Sequence, residues 1–166
     1  MTKITGRKGL MLAAGLATVP ATPALAGSIN ITIPKQNVAE YHKPYVGIWI
    51  EPVGGGQART LAVWYEVSKR GNEPGTKWLA DLRTWWRKGG RSLKLPADGV
   101  SGVTRAPGAY RIPIPAGVKA GAYTLYVEAA RENGGRELVS VPLSIPVKNA
   151  SANGKSELGN VSVTIR

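Results

Sequence analysis

Asp98-Gly99-Val100-Ser101-Gly102-Val103-Thr104 brings one acid, two glycines and two hydroxyls into a single short segment. Its glycines let the backbone turn tightly or let another molecule approach closely. Such a segment reads as a loop, neither helix nor central strand. A hydroxyl two residues after a glycine, here Thr104, is presented rather than packed. The chemistry on offer is acceptance of a transferred group at Thr104 Oγ1, not catalysis.

Rival chemistries are scarce. The chain has no cysteine, which excludes disulfides, thiolate metal sites, a Cys nucleophile and a lipoprotein acylation site. Histidine occurs once, at His42, so a multi-histidine metal site is impossible. In Glu40-Tyr41-His42-Lys43 that lone histidine reads as a structural residue, and no metal is expected. No two acids stand at a recognisable catalytic spacing, so the chain does not read as a hydrolase or as any enzyme.

The elements that must position Thr104 begin after a targeting segment. Lys3, Arg7 and Lys8 form a basic head, and an apolar run from Gly9 to Val19 follows. Pro20, Pro23 and the small-residue site Ala24-Leu25-Ala26 come next. This is the layout of a secretory signal peptide over residues 1–26, leaving residues 27–166 as one domain. The run is too short to cross a bilayer. The formal charge of +12 falls to about +9 without this segment, which favours anionic partners. Export turns that reading away from nucleic acid and towards a membrane surface or an acidic protein.

Most of the remaining chain alternates with a period of two. Ile29-Asn30-Ile31-Thr32-Ile33 stops at Pro34. Val46, Ile48 and Ile50 share a face, and after a turn over 52–56 Leu61, Val63 and Tyr65 are expected to share another. Tyr123 to Ala129 alternates again, with Asn133-Gly134-Gly135 as its turn. Pro142 and Pro146 demote the next run to an edge strand, or end it early. Val161 to Ile165 completes the set. Strands at this spacing without a βαβ rhythm predict an all-β, immunoglobulin-like β-sandwich. One segment differs: Trp78, Leu79, Leu82, Trp85 and Trp86 fall on one helical stripe. This predicts a short amphipathic helix with Thr76 as N-cap and Gly89-Gly90 as its stop. The chain lacks Phe, and its five tryptophans read as large core side chains rather than a stacking platform.

Asp98, Ser101, Gly102 and Thr104 resemble the target motif of FAD:protein FMN transferases, which move FMN from FAD onto the last Ser or Thr as a phosphoester. Val103 stands where that motif usually has a small Ala. The resemblance implies covalent FMN on Thr104, with Asp98, Ser101 and Gly102 read by the transferase. Arg105, with Arg83, Arg87 and Arg91, would offset charge on the phosphate and the reduced flavin. The stretches 39–46, 78–86, 101–108 and 121–132 with 134–137, and the tail 157–159, are also similar to an uncharacterised family of predicted periplasmic proteins. That family occurs beside or fused to FMN transferases, near PepSY-type membrane reductases and iron receptors. The likeness implies a periplasmic electron carrier serving ferric iron reduction or uptake. Its partners would be the transferase and a membrane-bound reductase or iron-uptake component. A non-redox adaptor that docks onto a reductase or receptor remains the alternative.

Overall fold

Nine strands and one short helix are seen in the computed structural model, which describes residues 27–67 and 74–165. The signal peptide expected over 1–26 lies outside the described residues. The strands are β1 (Ser28–Ile33), β2 (Tyr45–Pro52), β3 (Arg59–Tyr65), β4 (Ser101–Val103), β5 (Gly108–Pro113), β6 (Gly121–Ala130), β7 (Arg136–Ile145), β8 (Ala150–Asn153) and β9 (Asn160–Thr164). They form a four-stranded sheet ordered β5-β1-β9-β8 and a five-stranded sheet ordered β4-β3-β2-β6-β7.

This is an all-β sandwich with immunoglobulin-like strand placement. β1 pairs with β5 in one sheet, while the β2–β3 and β6–β7 hairpins join through β2 and β6 in the other. On its other side β1 pairs with β9, from the far end of the chain, and β8 closes that edge. Tyr123, near the start of β6, donates its hydroxyl to the Lys119 carbonyl at 3.0 Å. That backward bond is the tyrosine corner of such sandwiches.

Period-two patterning fills the space between the sheets. Ile29, Ile31, Ile33, Val46, Ile48, Ile50, Val161 and Val163 are all buried there. β3 departs from the expected pattern. A register shift after Ile48 pairs Ile48 with Ala62 but Trp49 with Thr60. The bulge leaves Leu61 without a partner and changes the parity of the strand. Leu61, Ala62 and Trp64 therefore enter the sandwich core, whereas Val63 and Tyr65 face the opposite side. Of the two outcomes expected from the prolines, the edge position is the one seen, and the strand runs its full ten residues. β7 is an edge strand, Pro142 sits within it opposite Thr124, and Pro146 follows its last residue.

The opposite side of the five-stranded sheet carries a second apolar layer: Trp49, Val63, Tyr65, Leu79, Leu82, Trp85 and Ala130. Here the expected single helix is corrected. Gly75–Asp81 is a 3₁₀ segment, Leu82 breaks it with ψ 70°, and only Arg83–Arg87 is α-helical (α1). Two backbone donors decide this. In a continuous helix Thr84 and Trp85 N–H would bond carbonyls four residues back. Instead they donate to the Glu128 carboxylate, at 2.9 and 2.8 Å. Thr76 lies inside the 3₁₀ segment and caps nothing; the preceding residue is Pro74. Leu79, Leu82 and Trp85 recur every three residues, which is the 3₁₀ period. Trp78 thereby leaves the buried stripe and is 48% exposed.

Trp85 lies between two glycines. A Cβ on Gly47 of β2 would come within 2.8 Å of Trp85 Cγ, and one on Gly90 within 2.5 Å of Cε3. The indole N–H donates to Thr60 Oγ1 at 3.0 Å. Gly47→Ala is expected to cost about 1–3 kcal/mol through overpacking. A lowered melting temperature with altered tryptophan fluorescence would check this, and an unchanged melting temperature would refute it.

Candidate functional site

The acceptor-like segment folds by local rules. Gly99 takes φ +70°, a conformation glycine adopts without strain. The turn closes with Val100 and Ser101 N–H both bonded to the Ala97 carbonyl. Ser101 Oγ locks it by accepting from Ala97 N–H at 2.9 Å. Residues 101–103, expected as loop, instead add to β3 as a parallel edge strand. Gly102 leaves room for Trp64, whose Cδ1 would lie 3.0 Å from an added Cβ. The last ladder bond is Thr104 N–H to the Tyr65 carbonyl, at 3.2 Å. Asp98 and Val103 are exposed, and Thr104 is half-buried.

Thr104 forms part of the wall of an open cleft of about 780 Å³. The cleft is assembled from segments far apart in the chain: residues 41–45, 75–83, 104 and 130–136, with Glu66. The β pairings gather these at one end of the sandwich, because β1, β3 and β6 all run towards it. Its aromatic surface comes from Tyr41, Tyr45 and the exposed Trp78. Tyr45 Oη donates to the Gly75 carbonyl at 3.0 Å, tying β2 to the 3₁₀ segment that carries Trp78. Lys77 Nζ lies 4.9 Å from the Trp78 ring centroid.

Of the arginines expected near the acceptor, Arg83 lines the cleft. Arg105 lies beside Thr104 in the chain, but its guanidinium faces Trp64 at 5.4 Å and Tyr110 at 5.5 Å. Arg87 and Arg91 are exposed and do not line the cleft. His42 sits between two carboxylates, with Nε2 3.1 Å from Glu40 and Nδ1 3.4 Å from Glu132. Among the described residues no group of three or more His, Asp or Glu side chains is placed to hold a metal.

The cleft floor is braced by a buried ion pair. Arg131 donates from Nε and Nη2 to Glu157 at 2.9 and 3.0 Å, and Gly135 N–H adds a third bond to that carboxylate. Glu157 belongs to a segment pinned by Glu137, which accepts from the Lys155, Ser156 and Leu158 N–H groups. Burial pushes the Glu137 carboxyl upward, yet these donors outweigh it and hold the group below the ordinary carboxylate range. The unfolded chain therefore binds the extra proton first as acid is added. Stability from this contact is complete above the ordinary carboxylate pKa and is lost as pH falls through the lower folded value. The melting temperature should drop from about pH 5 downward, and Glu137→Gln should flatten that slope. Equal slopes in the two proteins would refute the assignment.

The family described as Predicted periplasmic protein (DUF2271) matches residues 26–160. The chain belongs to the DUF2271 family. No curated protein and no solved structure matches it. This DUF2271 protein is periplasmic, and among its described residues no helix is long and apolar enough to cross a membrane. The stretches 39–46, 121–132 and 134–137, similar to that family by sequence, lie side by side in the cleft wall, where Tyr45 pairs with Ala130. Tyr41, Trp78 and Arg131 had no local signal marking them as one site. Their membership in those stretches and in 78–86 was the available clue.

Proposed function

We propose that this periplasmic protein is an electron carrier that holds FMN through a phosphoester to Thr104. The position of Thr104 supports this reading most directly. It ends the Asp-x-x-Ser-Gly-x-Thr string, leaves an edge strand and lies on the wall of a cleft large enough for a small-molecule ligand. Thr104 Oγ1 would attack the flavin-side phosphorus of FAD held by a transferase. The new P–O bond replaces the pyrophosphate linkage, AMP departs with the bonding electrons, and the hydroxyl proton passes to a base on the transferase.

The residues present suit such a group. The cleft offers an exposed indole, two phenols and Arg83; among the described residues its buried polar atoms without a hydrogen-bond partner are Tyr41 Oη, Arg131 Nη1 and His42 Nε2, the last 3.1 Å from the Glu40 carboxylate. When bound, the flavin supplies reversible one- and two-electron transfer. Thr104 tethers, Trp78 offers a stacking face, and Arg83 lies where it can offset negative charge. The protein is then a carrier rather than a catalyst, passing electrons to a membrane-bound reductase or iron-uptake partner for ferric reduction. Intact mass of protein from its native host tests this, with fragmentation of the tryptic peptide Leu95–Arg105 to separate Thr104 from Ser101. An unmodified peptide from that host would overturn it.

A second reading, a flavin-free docking module, draws on Ser101 and Gly102. One locks a turn and the other admits Trp64, so both have local reasons to be present. A partner captured equally by wild type and Thr104→Ala, with flavin on neither, would favour it.

A further inference from the structure

Among the described residues, the cleft donors Arg131 Nη1 and Tyr41 Oη have no acceptor, while His42 Nε2, also without a hydrogen bond, faces Glu40 at 3.1 Å. Arg131 is almost fully buried, with its side chain 6% exposed, and spends Nε and Nη2 on Glu157. Its Nη1 is buried without a partner. The guanidinium cannot easily turn to find one, because Gly134 lies so close that an added Cβ there would clash with Arg131 Cζ. The Tyr41 hydroxyl is likewise buried and unpartnered. Burial raises the Tyr41 pKa above its ordinary value, against the pull of Arg131, so the phenol keeps its proton and can donate. Both residues line the cleft that Thr104 borders. Buried donors left unmade are costly, and their presence on the wall of an open cleft points to an acceptor brought from outside.

Charge narrows the acceptor. Glu157 already neutralises Arg131, and the rest of the lining carries three basic side chains, Lys43, Arg83 and Arg136, and three acidic ones, Glu66, Asp81 and Glu132. This balance calls for a neutral oxygen rather than a second carboxylate. Shape narrows the rest of the ligand, because the half-exposed Trp78 lines the same cleft and favours a flat partner. We infer that Arg131 Nη1 and Tyr41 Oη receive a carbonyl oxygen of a planar, carbonyl-bearing heteroaromatic ring that lies against Trp78. The inference deepens the flavin reading and rests on it for the ring's identity, yet it needs no bond to Thr104.

Riboflavin, which lacks the phosphate, is the probe. Full-length exported protein is made in a host without the transferase, and its unmodified mass is verified. Binding is followed by quenching of flavin fluorescence, with the Arg131 side-chain ¹⁵N resonances recorded in parallel. Wild type should bind and shift the Arg131 signals. Tyr41→Phe should weaken binding roughly fivefold for one lost hydrogen bond. Trp78→Ala, at an exposed position that leaves the core intact, should weaken it about tenfold. The idea is overturned if riboflavin fails to bind up to its solubility limit, or if Tyr41→Phe binds as tightly as wild type. Failure of covalent attachment at Thr104 is read separately, by mass after co-expression with the transferase, so the two failures are distinguishable.

Discussion

Thr104→Ala should leave a folded, colourless protein under conditions in which wild type becomes yellow and stays so after denaturation. Co-expression with a cognate FMN transferase and export provides those conditions. Wild type should gain the mass of one FMN less one water, and the variant should gain nothing. Thr104→Ser should still be modified, since the reaction needs only a hydroxyl at that place. The fold gives no reason for Thr104→Ala to unfold the protein. Its ladder bond to Tyr65 uses the backbone N–H, which alanine keeps. Val103→Ala should be modified faster than wild type, because Val103 is 48% exposed and its branched side chain stands beside the acceptor. Wild type that remains unmodified beside an active transferase would end the flavin proposal.

Glu128→Ala should produce the largest loss of stability, about 3 kcal/mol or roughly 10 °C in melting temperature. Glu128 is 1% exposed and its carboxylate receives the N–H groups of both Thr84 and Trp85. Alanine strands those two donors at the start of α1 and removes the group that breaks the 3₁₀ segment from the helix. Arg136, 3.9 Å from the carboxylate, loses a neighbour as well. Glu128→Gln keeps one acceptor oxygen and should fall between wild type and Glu128→Ala. Thermal denaturation followed by circular dichroism reads the order directly. A Glu128→Ala variant as stable as wild type would show that the helical layer is held by apolar packing alone.

The two-residue period made the strands legible, because inner-face isoleucines and valines have no other way to be buried. Pro142 made the edge position of β7 legible for an equally direct reason: it cannot donate to a second neighbour. The bulge in β3 was not legible, since Leu61, Ala62 and Val63 are all apolar and permit either parity. The helical segment misled because Leu79, Leu82 and Trp85 fit both a 3.6 and a 3.0 period. What chose between them was Glu128, more than forty residues away and itself in a strand. The motif around Thr104 could be read in one line of sequence, but the cleft beside it could not. Tyr41, Trp78 and Arg131 line one cleft only because the pairings of β1, β2, β3 and β6 bring their flanking segments to one end.

The pairing of β1 with β9 has a consequence for how the protein can be joined to others. Ser28 lies opposite Thr164, so the chain enters and leaves the sandwich side by side. Both points are at the pole where β2 ends and β6 begins, a full strand length from the cleft. A linker attached at either end therefore grips the domain by its back and leaves the cleft mouth facing outward. Fusion to a reductase or a transferase through such a linker would let the domain swing like a bucket on a handle.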